Sequence, residues 1–572
     1  MEKIVSPGVF TSENDLSYLP TGIGDIGAAV IGPTVKGPAM VPTQVTSYSE
    51  YIQVFGEIYE SGSNSYQFMT SHLAKEYLKN ARVLTVVRIL SGSYSPASAS
   101  MASSASNTSF DIYTMGDGII ANSSCSEDSN GILESGSVDN VRWEITGLNE
   151  NKGTFTLLVR RGNDSTKRKV VLETWNNLSL DPNASNYISK IIGDMKPTYE
   201  YNAGDPYIDM SGSFENKSKY IRVTNITNTI NYLDEAGNIR DTNATGSLPI
   251  EASGSIFGGT DGDLEHPMTF YDDITADDSQ GYIPTSCTEY TMAVDLLSNQ
   301  DEYDINMIFT PGVLSGGSGT ANTLVDHTID MVEARGDCLY IFDTKVKDTA
   351  ALSSVVADAE AYDSSYAATY WPWVQIRDNT SNNYRWVPPS VVMAGVYAYN
   401  DKAAFEWFAP AGLNRGGIES AIRTSRKLTH SNRDTLYESN INSLASFPNT
   451  NVVSWGQKTL QKKASALDRI NVRRLLINLK KYIASTSKYL VFEQNTESTR
   501  KRFLNIVNPY MQSVKQNQGL YRFEVVMDET NNTADVIDRN ILKGDIYIQP
   551  TRTAEFIVID FNVLPTGATF GA

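Results

Sequence analysis

Residues 22–38 read GIGDIGAAVIGPTVKGP. The first six match Gly-x-Gly-x-x-Gly, a spacing that lets backbone amides cradle a pyrophosphate when it follows a buried strand and opens a helix. Upstream lies FTSENDLSYLP (10–20), polar and closed by Pro20. Downstream, Pro33, Pro38 and Pro42 exclude a helix interior. AAVIG (28–32) has the apolar character of a short buried strand. The order is therefore loop then strand, and Glu50, spaced like an acidic ribose ligand, has no helix before it. The stretch reads as a glycine hinge, Gly22, Gly24 and Gly27, between an N-terminal arm and the first strand of a domain.

Outward from this point the pattern changes several times. An amphipathic helix is expected near SYQFMTSHLAKEYLKN (65–80) and a strand at RVLTVVRI (82–89), followed by the Ser/Ala-rich stretch 91–109. Between 110 and 262 lie VRWEITGL, GTFTLLVRRG, RKVVLETW and KYIRVTNIT, separated by turn residues, which predicts a β-dominated insertion. From 263 to 420 strands and helices alternate: INMIFTPG, TANTLVDHTIDMVEAR, CLYIFDT, TAALSSVVADAEAY, ATYWPWVQI and PPSVVMAGVYAYND. Such alternation argues for an α/β layer with parallel strands. Two helices are expected at about 458–490 and 497–517, and the strands LYRFEVVMD, GDIYIQP and AEFIVIDFNVL follow. The predicted class is α/β and α+β multidomain: an inner α+β domain from both chain ends, an α/β middle domain and a β-rich inserted outer domain.

Composition suits several globular cores, with 41% hydrophobic and 20% charged residues in 572. The net charge of −19 disfavours general affinity for nucleic acid or anionic lipid. Three scattered cysteines, Cys125, Cys287 and Cys338, make no disulfide framework and fit folding in a reducing cytosol. MEKIVSPGVF lacks the apolar core of a signal peptide, and no apolar run is long enough to span a bilayer. No direct membrane insertion is expected.

Charge is unevenly placed. Asp241–Ala334 holds seventeen acids and no Lys or Arg, whereas Lys458–Arg502 holds twelve Lys and Arg against three acids. On a helical projection Lys462, Arg469, Arg473, Arg474, Lys480, Lys481 and Lys488 share one broad face, opposite Leu460, Ala464, Leu467, Leu475, Leu476, Leu479, Tyr482 and Ile483. Such a helix is either a solvated surface helix or a cationic face for an anionic partner. The basic face lacks interleaved aromatics, so no nucleic-acid groove is expected.

The search for chemistry returns nothing specific. The four histidines, His72, His266, His327 and His430, have no metal-ligand spacing, and no Gly-x-Ser-x-Gly elbow occurs. PGVLSGGSGTAN (311–322) is placed like a phosphate loop but lacks the Gly-Lys-Ser/Thr ending. The acids between Asp261 and Asp278 do not follow the twelve-residue calcium loop. No catalytic residue, cofactor or metal is expected, and a structural role is favoured.

Several stretches together resemble the contractile tail sheath proteins of bacteriophages. They are SPGVFTSE (6–13), GIGDIGAAVIGPTVKGP (22–38), SYSEYIQVFGE (47–57), FGGTDG (257–262), WVPPSVVMAGVYAYND (386–401), APAGLNRGG (409–417), NVVSWGQKTL (451–460), RINVRRLLINLKKYIASTSKYLVFEQN (469–495) and PTRTAEFIVIDF (550–561). They run in family order across both ends, and the region 95–262 matches least. The resemblance implies an N-terminal arm 1–22 joined to an inner, tube-facing domain 424–572, a middle domain 23–94 and 263–423, and inserted outer domains 95–262. It implies hexameric rings stacked around a tail tube, contraction through the host envelope, and contacts with tube, baseplate and tail terminator proteins. A virion location after assembly in the host cytoplasm follows from the same resemblance.

Chain ends of β character invite strand addition to another copy. Those expected to do so are Ile4, Val5, Val9 and Phe10, and Phe556, Ile557, Val558, Ile559 and Phe561. The basic helix, with Arg500, Lys501 and Arg502 of the next, would then face an acidic tube. The alternatives are a nucleotide- or dinucleotide-binding α/β enzyme and the sheath of a related contractile injection system.

Overall fold

The computed structural model describes residues 27–61, 64–124, 126, 127, 129, 133–202, 205–262, 280, 288–315, 322–344, 351–378, 382–448 and 450–558. Ile4, Val5, Val9, Phe10, Gly22, Gly24, Ile559 and Phe561 lie outside them, as do most of the glycines of 311–322 and the acids Asp263–Asp278. The chain divides into two units, one of Gly27–Ile477 with 551–558, the other of Asn478–Pro550.

The larger unit is built on an eight-stranded sheet. Its strands are β1 (Gly27–Gly32), β2 (Thr43–Val45), β3 (Leu84–Arg88), β4 (Ile305–Leu314), β5 (Leu339–Asp343), β6 (Ala367–Trp371), β7 (Asn442–Ser446) and β8 (Val452–Ser454), in the order β2-β3-β1-β4-β5-β6-β7-β8. The six from β3 to β7 run parallel; β2 and β8 are antiparallel edges. Every side chain of β1, β3, β4, β5 and β6 is buried. That is why their sequences read as unbroken apolar runs: helices cover both faces of a parallel sheet. One face carries Leu73, Ala74 and Tyr77 of helix α1 (Met69–Leu78) and Val391, Val392 and Tyr397 of α3 (Pro389–Ala403). The other carries Leu324, Val325 and Val332 of α2 (Thr323–Arg335).

Local chemistry sets where these elements begin. Asn322 caps α2 by accepting from the Leu324 N–H, and Gly336 closes it at φ 67°, a left-handed C-cap. Pro389 occupies the first turn of α3, where its missing N–H removes nothing. Asp343, at the end of β5, accepts from the Ser390 N–H at 2.9 Å and the Ser390 hydroxyl at 2.6 Å. Burial nevertheless pushes the Asp343 carboxyl up to about 7 against these bonds.

Three expectations need correction. ATYWPWVQI is not one strand: Pro372 cannot donate to a ladder, and Val374–Arg377 joins a separate three-stranded sheet with Tyr384–Val387 and Ala421–Thr424. The boundary expected at 423/424 falls inside the larger unit, because β7 and β8 extend the parallel sheet. Gly27 is not a hinge. It opens β1, where an added Cβ would lie 2.5 Å from the Val83 carbonyl oxygen, so its smallness serves strand packing.

Residues 94–261 carry two four-stranded sheets and the hairpin Lys196–Asn202/Asp205–Ser211. This insertion leaves and re-enters through paired stems, Tyr94 opposite Asp261 and Ser95 opposite Thr260. Buried Arg88, the last residue of β3, donates to the carbonyls of Gly37 at 2.6 Å and Asp117 at 2.7 Å, tying the insertion to the body.

The smaller unit contains α5 (Glu497–Gln516) and an antiparallel ribbon, β9 (Leu520–Val526) with β10 (Asp545–Pro550). It also holds the last turns of α4 (Ile470–Ser487). Phe503, Val507, Met511 and Val514 form the buried stripe of α5 at helical spacing. Each contributes about 1.5–3 kcal/mol by burial.

Candidate assembly surfaces

In the larger unit the segment 551–558 runs without regular secondary structure over its own body, not in the strand expected from AEFIVIDFNVL. Glu555 is its main anchor, beside a Gln457 bond to the Thr553 hydroxyl and an edge-to-face contact of Phe556 with Tyr437. Glu555 receives a two-pronged bond from Arg469 and a bond from Gln457 Nε2 at 3.0 Å, and Tyr437 donates its hydroxyl as well. Burial pushes the Glu555 carboxyl up, but these bonds outweigh it and hold it below the usual range. Past this anchor Phe556, Ile557 and Val558 are 78%, 79% and 83% exposed, with one edge of Phe556 against the Tyr437 ring.

The basic residues do not share one face. The expected helix 458–490 starts only at Ile470. Lys458 and Arg469 are bridged, and Ser465 caps a short 3-10 turn between them. Lys462 lies in this connection and donates to the Glu360 carbonyl at 2.8 Å. Arg469 is committed to Glu555 and Asp468. Arg473 is buried, its guanidinium 3.9 Å from the Tyr366 ring centroid. Arg474 is buried too and forks onto Asp401 at 2.7 and 2.6 Å. Neither belongs to an outward cationic face.

In the smaller unit Arg500 is buried against Asn495, whereas Lys480, Lys488, Lys501 and Arg502 are exposed and Lys481 is half-buried. Lys501 pairs with Glu497 at 2.5 Å, and Arg502 lies 4.0 Å from Glu493.

Among the described residues neither edge of the ribbon β9–β10 is covered by a third strand. Tyr521 and Tyr547 are 56% and 61% exposed on it. A cavity of about 360 Å³ opens beside β9, lined by Leu504, Asn505, Asn508, Pro509, Gln512 and Phe523. Pro509 contributes by lacking the N–H that would bind the Asn505 carbonyl. Among the described residues no group of three or more His, Cys, Asp and Glu is placed to hold a metal ion, and no helix is long and apolar enough to cross a membrane.

The family model of the phage tail sheath protein central domain matches residues 288–460, and that of the phage tail sheath C-terminal domain matches 462–563. These two stretches are phage tail sheath domains. The tail sheath protein of Vibrio phage KVP40 is 33% identical over 303 residues, which is 49% of this chain and 45% of that protein. That of Enterobacteria phage T4 is 34% identical over 295 residues, again 49% and 45%. The chain thus spans about half the length of the curated relatives it matches. The crystal structure of a sheath tail protein from Listeria innocua has the same fold at 12% identity, with a TM-score of 0.54 over 89% of this chain and 90% of that one. These relatives are structural proteins, not the dinucleotide enzymes that GIGDIG first suggests.

The two sheath domains map onto the structure unequally. The central domain begins before β4 and ends after β8, so it takes in five of the eight strands; β1, β2 and β3 complete its sheet from before the insertion. The C-terminal domain takes in α4, α5, the ribbon and Glu555. Sequence reading missed Glu555, Tyr437 and Phe492, discussed below. The acid at 555 lies between apolar residues in a segment read as a strand, and nothing local signals its partners.

Proposed function

We propose that the chain is a subunit of a contractile tail sheath that polymerises as stacked hexameric rings around a tail tube. Contraction then drives the tube through the host envelope for genome delivery. The observation that carries this reading is the two-stranded ribbon with both edges open, combined with the exposed Phe556–Val558 segment beyond Glu555. An uncovered edge offers backbone donors and acceptors to an incoming strand. Stretches of β character, with Ile4, Val5, Val9 and Phe10 in one and Phe556 onward in the other, are suited to supply such strands to neighbouring copies. Lys480 and Lys481 of α4 are the cations proposed to face an acidic tube. Tube, baseplate and tail terminator proteins are the proposed partners, in a virion assembled in the host cytoplasm, with no cofactor, nucleic acid or membrane insertion in the working cycle.

Truncation tests the reading. The full chain at high concentration is expected to form tubes or ring stacks by electron microscopy. Variants lacking residues 1–20 or 556–572 are expected to fold, with unchanged circular dichroism, and to remain monomeric. Normal assembly by both truncated chains overturns the strand-exchange proposal.

A further inference from the structure

The turn that follows the 3-10 segment Lys488–Leu490 breaks a local rule. Val491 sits at φ −66° and ψ 135°, Phe492 at φ 69°, and the Glu493 N–H donates to the Leu490 carbonyl at 3.2 Å. Leu490–Glu493 is therefore a type II β-turn, whose third position asks for glycine or asparagine. A phenylalanine there strains its own backbone.

Among the described residues nothing packs on the ring to offset that strain, since Phe492 is 101% exposed. Tyr489 and Val491 beside it are 55% and 59% exposed. The base of the turn is nevertheless fixed. Leu490 is buried, Asn495 Nδ2 donates to the Ile541 carbonyl at 2.9 Å, and Asn495 Oδ1 accepts from Arg500 Nε at 3.0 Å. A strained residue on a rigid base, with its ring held in solvent, marks a site whose compensation lies outside the chain.

We infer that Phe492 is an anchor that docks into a second copy of this chain, an inference that rests on the assembly reading above. Charge favours that occupant. Exposed Lys488, Lys501 and Arg502 lie close to the turn in sequence, and the chain has a net charge of −19 with seventeen acids and no Lys or Arg between Asp241 and Ala334. Another copy thus offers the acidic surroundings that a cationic rim fits. Size favours it too. Three side chains fall far short of the ~1,200 Å² that a stable pair of proteins buries, so the contact gains strength only by repetition through a lattice. A protruding ring on one surface that enters a different surface of the next copy makes a heterologous contact, which propagates rather than closes.

The test uses the full chain, with assembly scored by sedimentation and electron microscopy. Phe492→Gly relieves the turn and removes the ring. The expected result is a monomer melting temperature equal to or above that of wild type, with the assembled fraction reduced at least tenfold. A photoreactive benzoylphenylalanine at 492 is expected to cross-link to a second copy in assembled material. A melting temperature lowered by several degrees in Phe492→Gly overturns the inference, because the ring would then serve its own fold. Undiminished assembly, cross-links confined to one chain, or cross-links that form only when a different protein is added overturn it equally. Failure of the wild type to assemble at all removes the sheath reading instead, and is a separate result.

Discussion

Arg469 and Glu555 meet fork to fork, with Arg469 Nε 2.7 Å from Glu555 Oε1 and Nη2 3.0 Å from Oε2. Eighty-six residues separate them in the chain. Their pairing fixes the course of the segment 551–558 over the larger unit and the direction of the chain at Phe556. Bidentate geometry supplies orientation as well as energy, which a single-pronged lysine contact could not.

Arg469→Ala is expected to free the segment without unfolding the body. Hydrogen exchange at 551–558 should rise, and the melting temperature should fall by no more than about 3 °C, since the pair is partly exposed. Acid should mimic the substitution. The folded-state carboxyl of Glu555 titrates below its usual 4.5, so the tether is complete above that pH and is lost as pH falls through the lowered value.

Arg474 makes the opposite case. Arg474→Ala leaves Asp401, only 24% exposed at its side chain, without its partner. The expected loss is roughly 3–5 kcal/mol in denaturant unfolding. Lys501→Ala, in an exposed pair four residues apart on α5, should change stability by less than about 0.5 kcal/mol. Equal effects would contradict the burial described for Arg474.

Asp343→Asn should flatten a pH dependence. Because burial raises the folded carboxyl to about 7, the group favours folding progressively more as pH falls from about 7 toward its ordinary unfolded value near 4. An asparagine can accept from the Ser390 N–H and donate to its hydroxyl, so it keeps the neutral form's bonds at every pH. The measurement is chemical denaturation of both proteins at pH 5 and pH 8. The variant's advantage should appear at pH 8.

Gly27→Ala places a methyl group 2.5 Å from the Val83 carbonyl oxygen and 2.9 Å from its carbon. Backbone cannot swing aside as a side chain does, so a loss of about 1–3 kcal/mol is expected in thermal or denaturant unfolding. An unchanged stability would show that the strand pair shifts to admit a methyl group and that close packing does not require glycine here.

The central sheet was legible because parallel strands buried on both faces must be largely apolar, as LTVV, LYIF and AATYW are. The prolines that open PPSVVMAGVYAYND marked their helix in the same direct way. The cationic helix was not legible, because a helical projection sees one helix only. What buries Arg473 is Tyr366, more than a hundred residues earlier, and what neutralises Arg474 is Asp401, contributed by α3. Arginine outside is a sound default until a distant carboxylate or ring makes burial cheaper. The turn at Phe492 was hidden for the reverse reason: turn reading relies on glycine, and here glycine's position is filled by an aromatic residue.

The paired stems of residues 94–261 carry one more consequence. Where Tyr94 faces Asp261 and Ser95 faces Thr260, the intervening polypeptide begins and ends at the same spot, like a handle welded to a cup at a single joint. An independently folded unit with two adjacent termini could be grafted there, provided it kept a carbonyl for the buried Arg88 guanidinium that now meets Asp117. The parallel sheet and the inserted sheets thereby keep separate apolar cores, and a change within one need not be answered in the other.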